Sequence, residues 1–291
     1  MSRALAIVNP VAGRGRGRRA LAAVRAAFAP LAQLEVAETA GPADATRLAR
    51  QAVGEGYALV VAVGGDGTAS EVAAGLVHST TTLGLYPIGI GNDFARALGY
   101  PRDAAALARG LRAARPRKID VGELNGRLFL NAAGVGIDGH VAERIRASAR
   151  VLGRRLGYLA GALASIATYR PQPMRVTFDD GAVIEGRQLI VAAANGTHFG
   201  GGMHLAPGAR IDDGLLEIII GGDLGRLASV AALARLYRGT HVNGSTIVRR
   251  QARSLAIALE HPLPIERDGE VDHATELRLR VIPLALPVLG V

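Results

Sequence analysis

Three short segments of this chain combine glycine with side chains that handle phosphate or a metal ion. Gly64-Gly65-Asp66-Gly67-Thr68 follows a continuous apolar run, residues 58–63, and precedes a helical pattern whose first turn includes Glu71. The glycines permit a tight turn and let backbone N–H groups approach phosphate oxygens closely. A carboxylate inside such a loop repels phosphate unless a cation stands between them, so Asp66 is expected to be linked to Mg²⁺ in a nucleoside triphosphate site. Thr68 and Glu71 also have capping-box spacing, and a plain helix cap is the competing reading for Thr68. The segment Asn9-Pro10-Val11-Ala12-Gly13-Arg14-Gly15-Arg16-Gly17 likewise follows a strand pattern. Its arginines and glycines suit nucleotide phosphates and Asn9 suits a base or sugar, with a flexible basic loop as the plainer alternative. The third segment, Pro87-Ile88-Gly89-Ile90-Gly91-Asn92-Asp93-Phe94-Ala95-Arg96, supplies Asn92 and Asp93, which serve either a ligand or a helix N-cap.

Composition narrows the chemistry. Cysteine is absent, which excludes disulfides, thiolate metal sites and a cysteine nucleophile. Lys118 is the only lysine and sits in Arg117-Lys118-Ile119, so a Walker-type loop and a protein-kinase strand lysine are both excluded. Phosphate must therefore be handled by glycine loops, helix ends, metal and arginine. The net charge of +9 suits an anionic membrane, nucleic acid or a phosphorylated substrate, with a merely solubilising arginine surface as the plainer alternative. Aromatics are 4% with no tryptophan, which argues against stacking platforms for nucleic acid. The seven histidines show no metal spacing. No secretory or spanning segment is read, and a cytoplasmic protein that meets membrane only peripherally is expected.

The elements that must position these loops change character along the chain. Up to about residue 115, short apolar strand patterns alternate with helical ones, at 4–8, 34–38, 58–63 and 83–86. This order indicates a parallel sheet covered on both faces, with ligands at the carboxyl ends of its strands. All three glycine loops fall at that edge. Beyond about residue 117, Asn125-Gly126 between strands 119–124 and 127–131, and Asp180-Gly181 between 174–178 and 182–193, are hairpin signals, and further strands are expected at 215–220, 254–260 and 276–282. Helices are expected at about 141–150, 158–169 and 224–237. The expected fold is thus an α/β nucleotide-binding domain with a parallel sheet, plus a second β-rich, antiparallel sandwich-like domain, with a cleft between them.

The three loops, in this order, resemble the diacylglycerol kinase catalytic-domain family, and the size is that of its soluble bacterial lipid kinases. The resemblance continues through Asn131-Ala132-Ala133-Gly134-Val135-Gly136-Ile137-Asp138 and the segment 206–216 to Asp268-Gly269-Glu270. It implies an ATP- and Mg²⁺-dependent transfer of the γ-phosphoryl group to a lipid hydroxyl, diacylglycerol first among the acceptors. It also implies a first domain of residues 1–118 with 283–291 and a lipid-substrate domain of 119–282. By motif match, Asn9, Thr39, Gly64, Gly65, Asp66, Gly67, Thr68, Ile90, Asn92 and Asp93 should line the nucleotide site, with Asp66 and Asp93 in a hydrated Mg²⁺ network. Asp213, with backbone oxygens of Arg210 and Leu215, resembles a second, structural Mg²⁺ site; an ordinary acidic turn is the alternative. Asp268 resembles the family's general base and Glu270 its supporting carboxylate, where Asp-Gly alone would read as a hairpin turn.

Ile90 departs from the family pattern, which has a threonine there; the lost hydroxyl should weaken one nucleotide contact by ~1 kcal/mol. An NAD kinase-like small-molecule kinase shares the Gly-Gly-Asp-Gly-Thr loop and is the enzymatic rival. A non-catalytic protein that binds nucleotide or an anionic membrane is the rival from another class. The acceptor should be a lipid alcohol whose acyl chain meets apolar residues of the second domain. Nucleic acid is not expected as a partner, and the oligomeric state is open, a homodimer included. Arg144, Arg146, Arg150, Arg154 and Arg155 form either a solvated helix face or a membrane-docking patch.

Overall fold

The computed structural model describes residues 2–89, 91–101, 103–152, 154–243 and 246–290. They form two compact units, Met1–Val121 with Pro283–Val291, and Gly122–Ile282. The first unit starts with β1 (Ser2–Val8), a kinked turn α1 (Ala12–Gly15), α2 (Leu21–Phe28), β2 (Ala32–Glu38), α3 (Asp44–Gly54) and β3 (Leu59–Gly64). It continues with α4 (Asp66–Leu76), β4 (Thr82–Pro87), α5 (Asp93–Ala97), α6 (Ala104–Ala113) and β5 (Arg115–Leu124), the last of which leads into the second unit. Strands β2, β1, β3 and β4 lie side by side in that order, all parallel. Val288, near the chain's end, adds a parallel pairing with Leu83 of β4. Every residue of β3 is buried, as a strand covered by helices on both faces requires.

The second unit contains β6 (Arg127–Phe129), β7 (Ala132–Gly136), α7 (Ile137–Leu152), α8 (Arg154–Thr168), β8 (Gln172–Phe178), β9 (Val183–Gln188) and β10 (Ile190–Ala194). After these come β11 (Leu216–Gly221), α9 (Arg226–Arg238), β12 (Ile247–Ala252), β13 (Ser254–Arg267) and β14 (Glu270–Gly290), whose last residues belong to the first unit. Pairing is antiparallel from β12 through β11, β10 and β7 to β13 and β14. A register shift between Ala258 and Leu263 divides β13: its first half pairs with β8 and its second half with β7. Such a break lets one strand pair with different neighbours along its length and bend around a core. Met174, Val176 and Phe178, alternate residues of β8, are buried there with Val135, Ile257 and Leu279.

The structure differs from the sequence reading in its element limits: β12 lies where no strand was expected and α7 is longer than 141–150. Two further differences involve irregular backbone. The strand expected over 127–131 stops at Phe129, because the backbone N–H groups that follow turn to a side chain from a distant hairpin. The final strand runs on through Pro283 and Pro287, and Leu284 takes a left-handed φ of 48° with its N–H bonded to buried Asp120. The carboxylate satisfies a donor that the irregular backbone would otherwise strand.

Candidate active site

In the first unit, topology alone brings the glycine loops together. The chain leaves β1 for β2 on one side and returns to β3 on the other, so the connections at the carboxyl ends of β1 and β3 diverge. Open α/β sheets bind ligands at that reversal. Asn9 follows β1 with its N–H on Val63 O at 3.1 Å, and Thr39 follows β2 with its N–H on Val8 O at 2.9 Å. Gly64 ends β3, Gly65 precedes α4, and Asp66, Gly67 and Thr68 form the first turn of α4. The first N–H groups of that helix have no intrahelical acceptor, a ready arrangement for an anion.

The competing cap reading of Thr68 does not hold. Helix α4 begins two residues before Thr68, and its N-cap position makes no side-chain bond. Thr68 is buried, and its hydroxyl accepts from Asn9 Nδ2 at 3.1 Å, which ties the first loop to the second. Asp66 Oδ1 accepts from the Phe94 N–H at 3.0 Å, which ties the second loop to the third. Glycine is required where they meet: a Cβ on Gly89 would lie 2.6 Å from Gly65 Cα and 2.6 Å from Asn92 Oδ1.

Asn92 sits before α5 in the left-handed region, φ 50°, and donates from Nδ2 to Gly89 O at 3.0 Å. Its Oδ1 is buried without a hydrogen-bond partner. A buried carbonyl oxygen left without a donor is costly, and a ligand or water is the usual remedy. Asp93 is buried and pairs with Arg96 at 2.8 Å, while Arg96 also reaches Gly91 O. Ile90 lies outside the described residues. Nine of the ten expected nucleotide-site residues therefore share this edge.

In the second unit, Asp268 and Gly269 form the two-residue turn between β13 and β14, with φ of 46° and 89°. Both left-handed values mark the tight hairpin type that Asp-Gly favours. The Asp268 carboxylate does more than turn the chain. Its Oδ2 accepts from the Leu130 N–H at 2.6 Å, and its Oδ1 from Asn131 at 3.0 Å and Ala132 at 3.2 Å. Glu270 is exposed and pairs with Arg267 across the same turn. Arg210, Asp213 and Leu215 occupy one turn before β11, where Asp213 Oδ1 accepts from the Leu215 N–H at 3.1 Å. Among the described residues, no three acidic, histidine or cysteine groups converge to hold a metal by themselves.

Two carboxylates beside this hairpin carried no assigned role in the sequence. Glu266 lies opposite Gly134 in the β13–β7 pairing, and its Oε1 accepts from the Gly269 N–H. Burial raises its pKa well above the usual range, and the Asp138 charge raises it further. Asp138, in the first turn of α7, is pushed up to about 7 by burial, although the Gly139 N–H pulls the other way. Gly134 is glycine because a Cβ there would meet Asp138 Oδ2 at 2.4 Å. Asp138 also lines an apolar cavity of ≈ 120 Å³ with Val141, Phe199, Met203 and Leu233. The available signal was a carboxylate one residue after Gly136-Ile137, at the start of a helix and following an apolar strand. Arg144 is described, whereas the side chains of Arg146, Arg150, Arg154 and Arg155 lie outside the described residues.

Residues 3–124 match the diacylglycerol kinase catalytic domain, and residues 131–290 match the YegS C-terminal NAD kinase beta sandwich-like domain. The chain is 31% identical over 280 residues to the diacylglycerol kinase of Bacillus subtilis, covering 93% of this chain and 90% of that one. It is 37% identical over 280 residues to a Pseudomonas aeruginosa protein named "Probable lipid kinase YegS-like", covering 95% and 90%. The crystal structure of a diacylglycerol kinase from Bacillus anthracis superposes with a TM-score of 0.78 at 26% identity, covering 100% of this chain and 97% of that one.

Proposed function

This chain belongs to the diacylglycerol kinase catalytic-domain family of ATP-using lipid kinases, and on that premise we propose that it transfers the γ-phosphoryl group of ATP to the hydroxyl of diacylglycerol. The observation that carries the proposal is the edge of the first unit. There Asn9–Thr68 and Asp66–Phe94 bonds lock three glycine loops around the start of α4, beside the unpartnered Asn92 Oδ1. Backbone N–H groups of α4 and the loops would hold the phosphates, and Asn9, Thr39 and Asn92 the sugar and base.

Mg²⁺ fits this edge. It keeps most of its water and needs only one or two protein carboxylates when substrate phosphates supply the rest, and Asp66 and Asp93 would supply them. Bound there, it would neutralise phosphate charge that develops during transfer. Asp213 with the carbonyl oxygens of Arg210 and Leu215 offers hard oxygen donors for a second, structural Mg²⁺.

On the acceptor side, Asp268 would receive the proton of the lipid hydroxyl as its oxygen bonds to the γ-phosphorus and the bond to the ADP oxygen breaks. Three backbone N–H groups hold its carboxylate in one orientation, and an oriented base is what a positioned hydroxyl needs. Glu270 would act from the same hairpin, with Arg267 fixing its direction. The apolar cavity of the second unit would take part of an acyl chain. The net charge of +9 would draw this cytoplasmic protein to anionic membrane peripherally. No helix among the described residues is long and apolar enough to cross a membrane.

The test is phosphate transfer from ATP in the presence of Mg²⁺, with dioctanoylglycerol, sphingosine or NAD as sole acceptor. Phosphorylated dioctanoylglycerol is the expected product. Transfer to NAD with none to either lipid would overturn the proposal.

A further inference from the structure

Helix α9 is apolar on both sides. Gly225 precedes it and Gly239, φ 69°, ends it, so its thirteen residues form one uninterrupted segment about 20 Å long. Ser229, Ala232, Leu233 and Leu236 face inward and line the cavity of the second unit. On the opposite side, Leu227, Ala231, Ala234 and Arg238 follow one another at helical spacing and are exposed, flanked by Val230 and Tyr237. Leu227 is 89% exposed, and Val230 and Tyr237 are 43% and 46% exposed. The outward face of a helix in a globular protein is normally polar. Here the helix contains no Asp or Glu, and its charged residues are Arg226, Arg235 and Arg238, all exposed.

We propose that the outward face of α9 docks this protein on an anionic lipid bilayer, with Leu227, Val230 and Tyr237 entering the interface and the three arginines meeting lipid phosphates. The proposal rests on the lipid-kinase reading, since it places the cavity wall against the phase that holds the substrate. Charge selects the occupant. Among the described residues none of these arginines is ion-paired, and the nearest acid in sequence, Asp223, stands 3.9 Å from Arg187. A symmetric contact with a second copy would set α9 against α9 and arginine against arginine, with no acid on the helix to offset them. An anionic surface supplies the opposite charge at every arginine, and it accepts apolar side chains from a helix lying in its plane. Tyrosine at the rim is typical of that boundary.

The experiment measures sedimentation of the full chain with phosphatidylcholine vesicles, with and without phosphatidylglycerol. Leu227→Glu should weaken binding to the anionic vesicles by about tenfold or more, since it removes an inserted apolar side chain and adds repulsion. Arg235→Gln with Arg238→Gln should also weaken it, and should flatten its dependence on salt. Thermal unfolding of Leu227→Glu should match the parent, because this side chain packs on little. With a short-chain diacylglycerol dispersed as monomers, both variants should turn over at the parent rate, whereas transfer to vesicle-embedded diacylglycerol should drop with binding. Undiminished vesicle binding by Leu227→Glu would overturn the proposal. So would a parent dimer that Leu227→Glu dissociates while vesicle binding persists, since the face would then belong to a second copy. Absence of transfer to any lipid would defeat the kinase reading, and the vesicle arm would still judge α9.

Discussion

Replacing Asp268 with Asn exchanges one carboxylate oxygen for an amide nitrogen at a point where three backbone donors converge. Asn tolerates the left-handed φ of 46° as well as Asp does, so the backbone contributes no new strain. The bonds from Asn131 and Ala132 can stay on the remaining oxygen, though they are now made to a neutral group. The 2.6 Å bond from Leu130 is lost, and its buried N–H faces another donor. A hydrogen bond to a charged group contributes ~1.5–3 kcal/mol, and stranding a buried donor costs a similar amount that partly overlaps with it. About 3 kcal/mol is the reasonable total. At ~2–4 °C per kcal/mol for a unit of this size, Tm should fall by about 6–12 °C.

The proton-accepting role predicts a separate effect, a loss of at least about 10²-fold in single-turnover rate, measured well below the lowered Tm with ATP binding retained. Glu270→Gln should be milder in both respects, because an exposed ion pair contributes only ~0–1 kcal/mol. Thermal unfolding, nucleotide titration and single-turnover transfer on the two variants separate the effects. An unchanged Tm for Asp268→Asn would refute the hydrogen-bond account. A near-parental rate would remove Asp268 from the chemistry and leave a structural clasp. A greater rate loss in Glu270→Gln would move the proton to Glu270.

Asp66→Asn should keep the fold, since its Oδ1 can still accept from Phe94, but should lower turnover by at least about 10²-fold at any Mg²⁺ concentration; circular dichroism with a Mg²⁺ titration checks both halves. Gly89→Ala should cost about 1–3 kcal/mol by driving a Cβ into Gly65 and Asn92, and should weaken ATP binding together with urea stability. For Asp138 the folded state binds more protons than the unfolded one between the ordinary carboxylate range and about 7, so stability falls as pH rises through that window and is level above it. The difference amounts to about 4 kcal/mol, and Glu266 acts with the same sign. Asp138→Asn should therefore flatten the profile and exceed the parent's urea stability near about pH 8; a steeper alkaline loss in the variant would reverse the sign of the argument.

The first unit was largely legible because each of its signals is local. A strand, a glycine loop and a helix follow one another within a dozen residues, and parallel pairing puts every such loop at the same edge. What sequence could not supply was how the loops are joined. Thr68 had the spacing of a cap, yet the helix starts earlier and the hydroxyl is committed to Asn9, fifty-nine residues away in the chain. Capping spacing describes a helix end considered alone, and here a tertiary hydrogen bond competes for the same oxygen.

In the second unit the informative contacts are cross-strand, and periodicity is silent about register. Asp268-Gly269 read as a hairpin turn, and it is one; its carboxylate also gathers three N–H groups from the β6–β7 connection, which is why the strand expected to reach residue 131 ends at Phe129. Glu266 became a buried acid only through pairing opposite Gly134, and Gly134 leaves room for the Asp138 carboxylate. Helix α9 poses the same difficulty on its surface. A helix with apolar residues on both sides reads as buried on both sides, so the spacing of Leu227, Val230 and Tyr237 alone predicts protein contacts for them. Only the cavity-lining face, fixed by Ser229, Ala232, Leu233 and Leu236, leaves the other residues facing outward. The arginines then decide what that outward face meets, because a symmetric contact with a second copy would have demanded acidic partners that the helix does not carry.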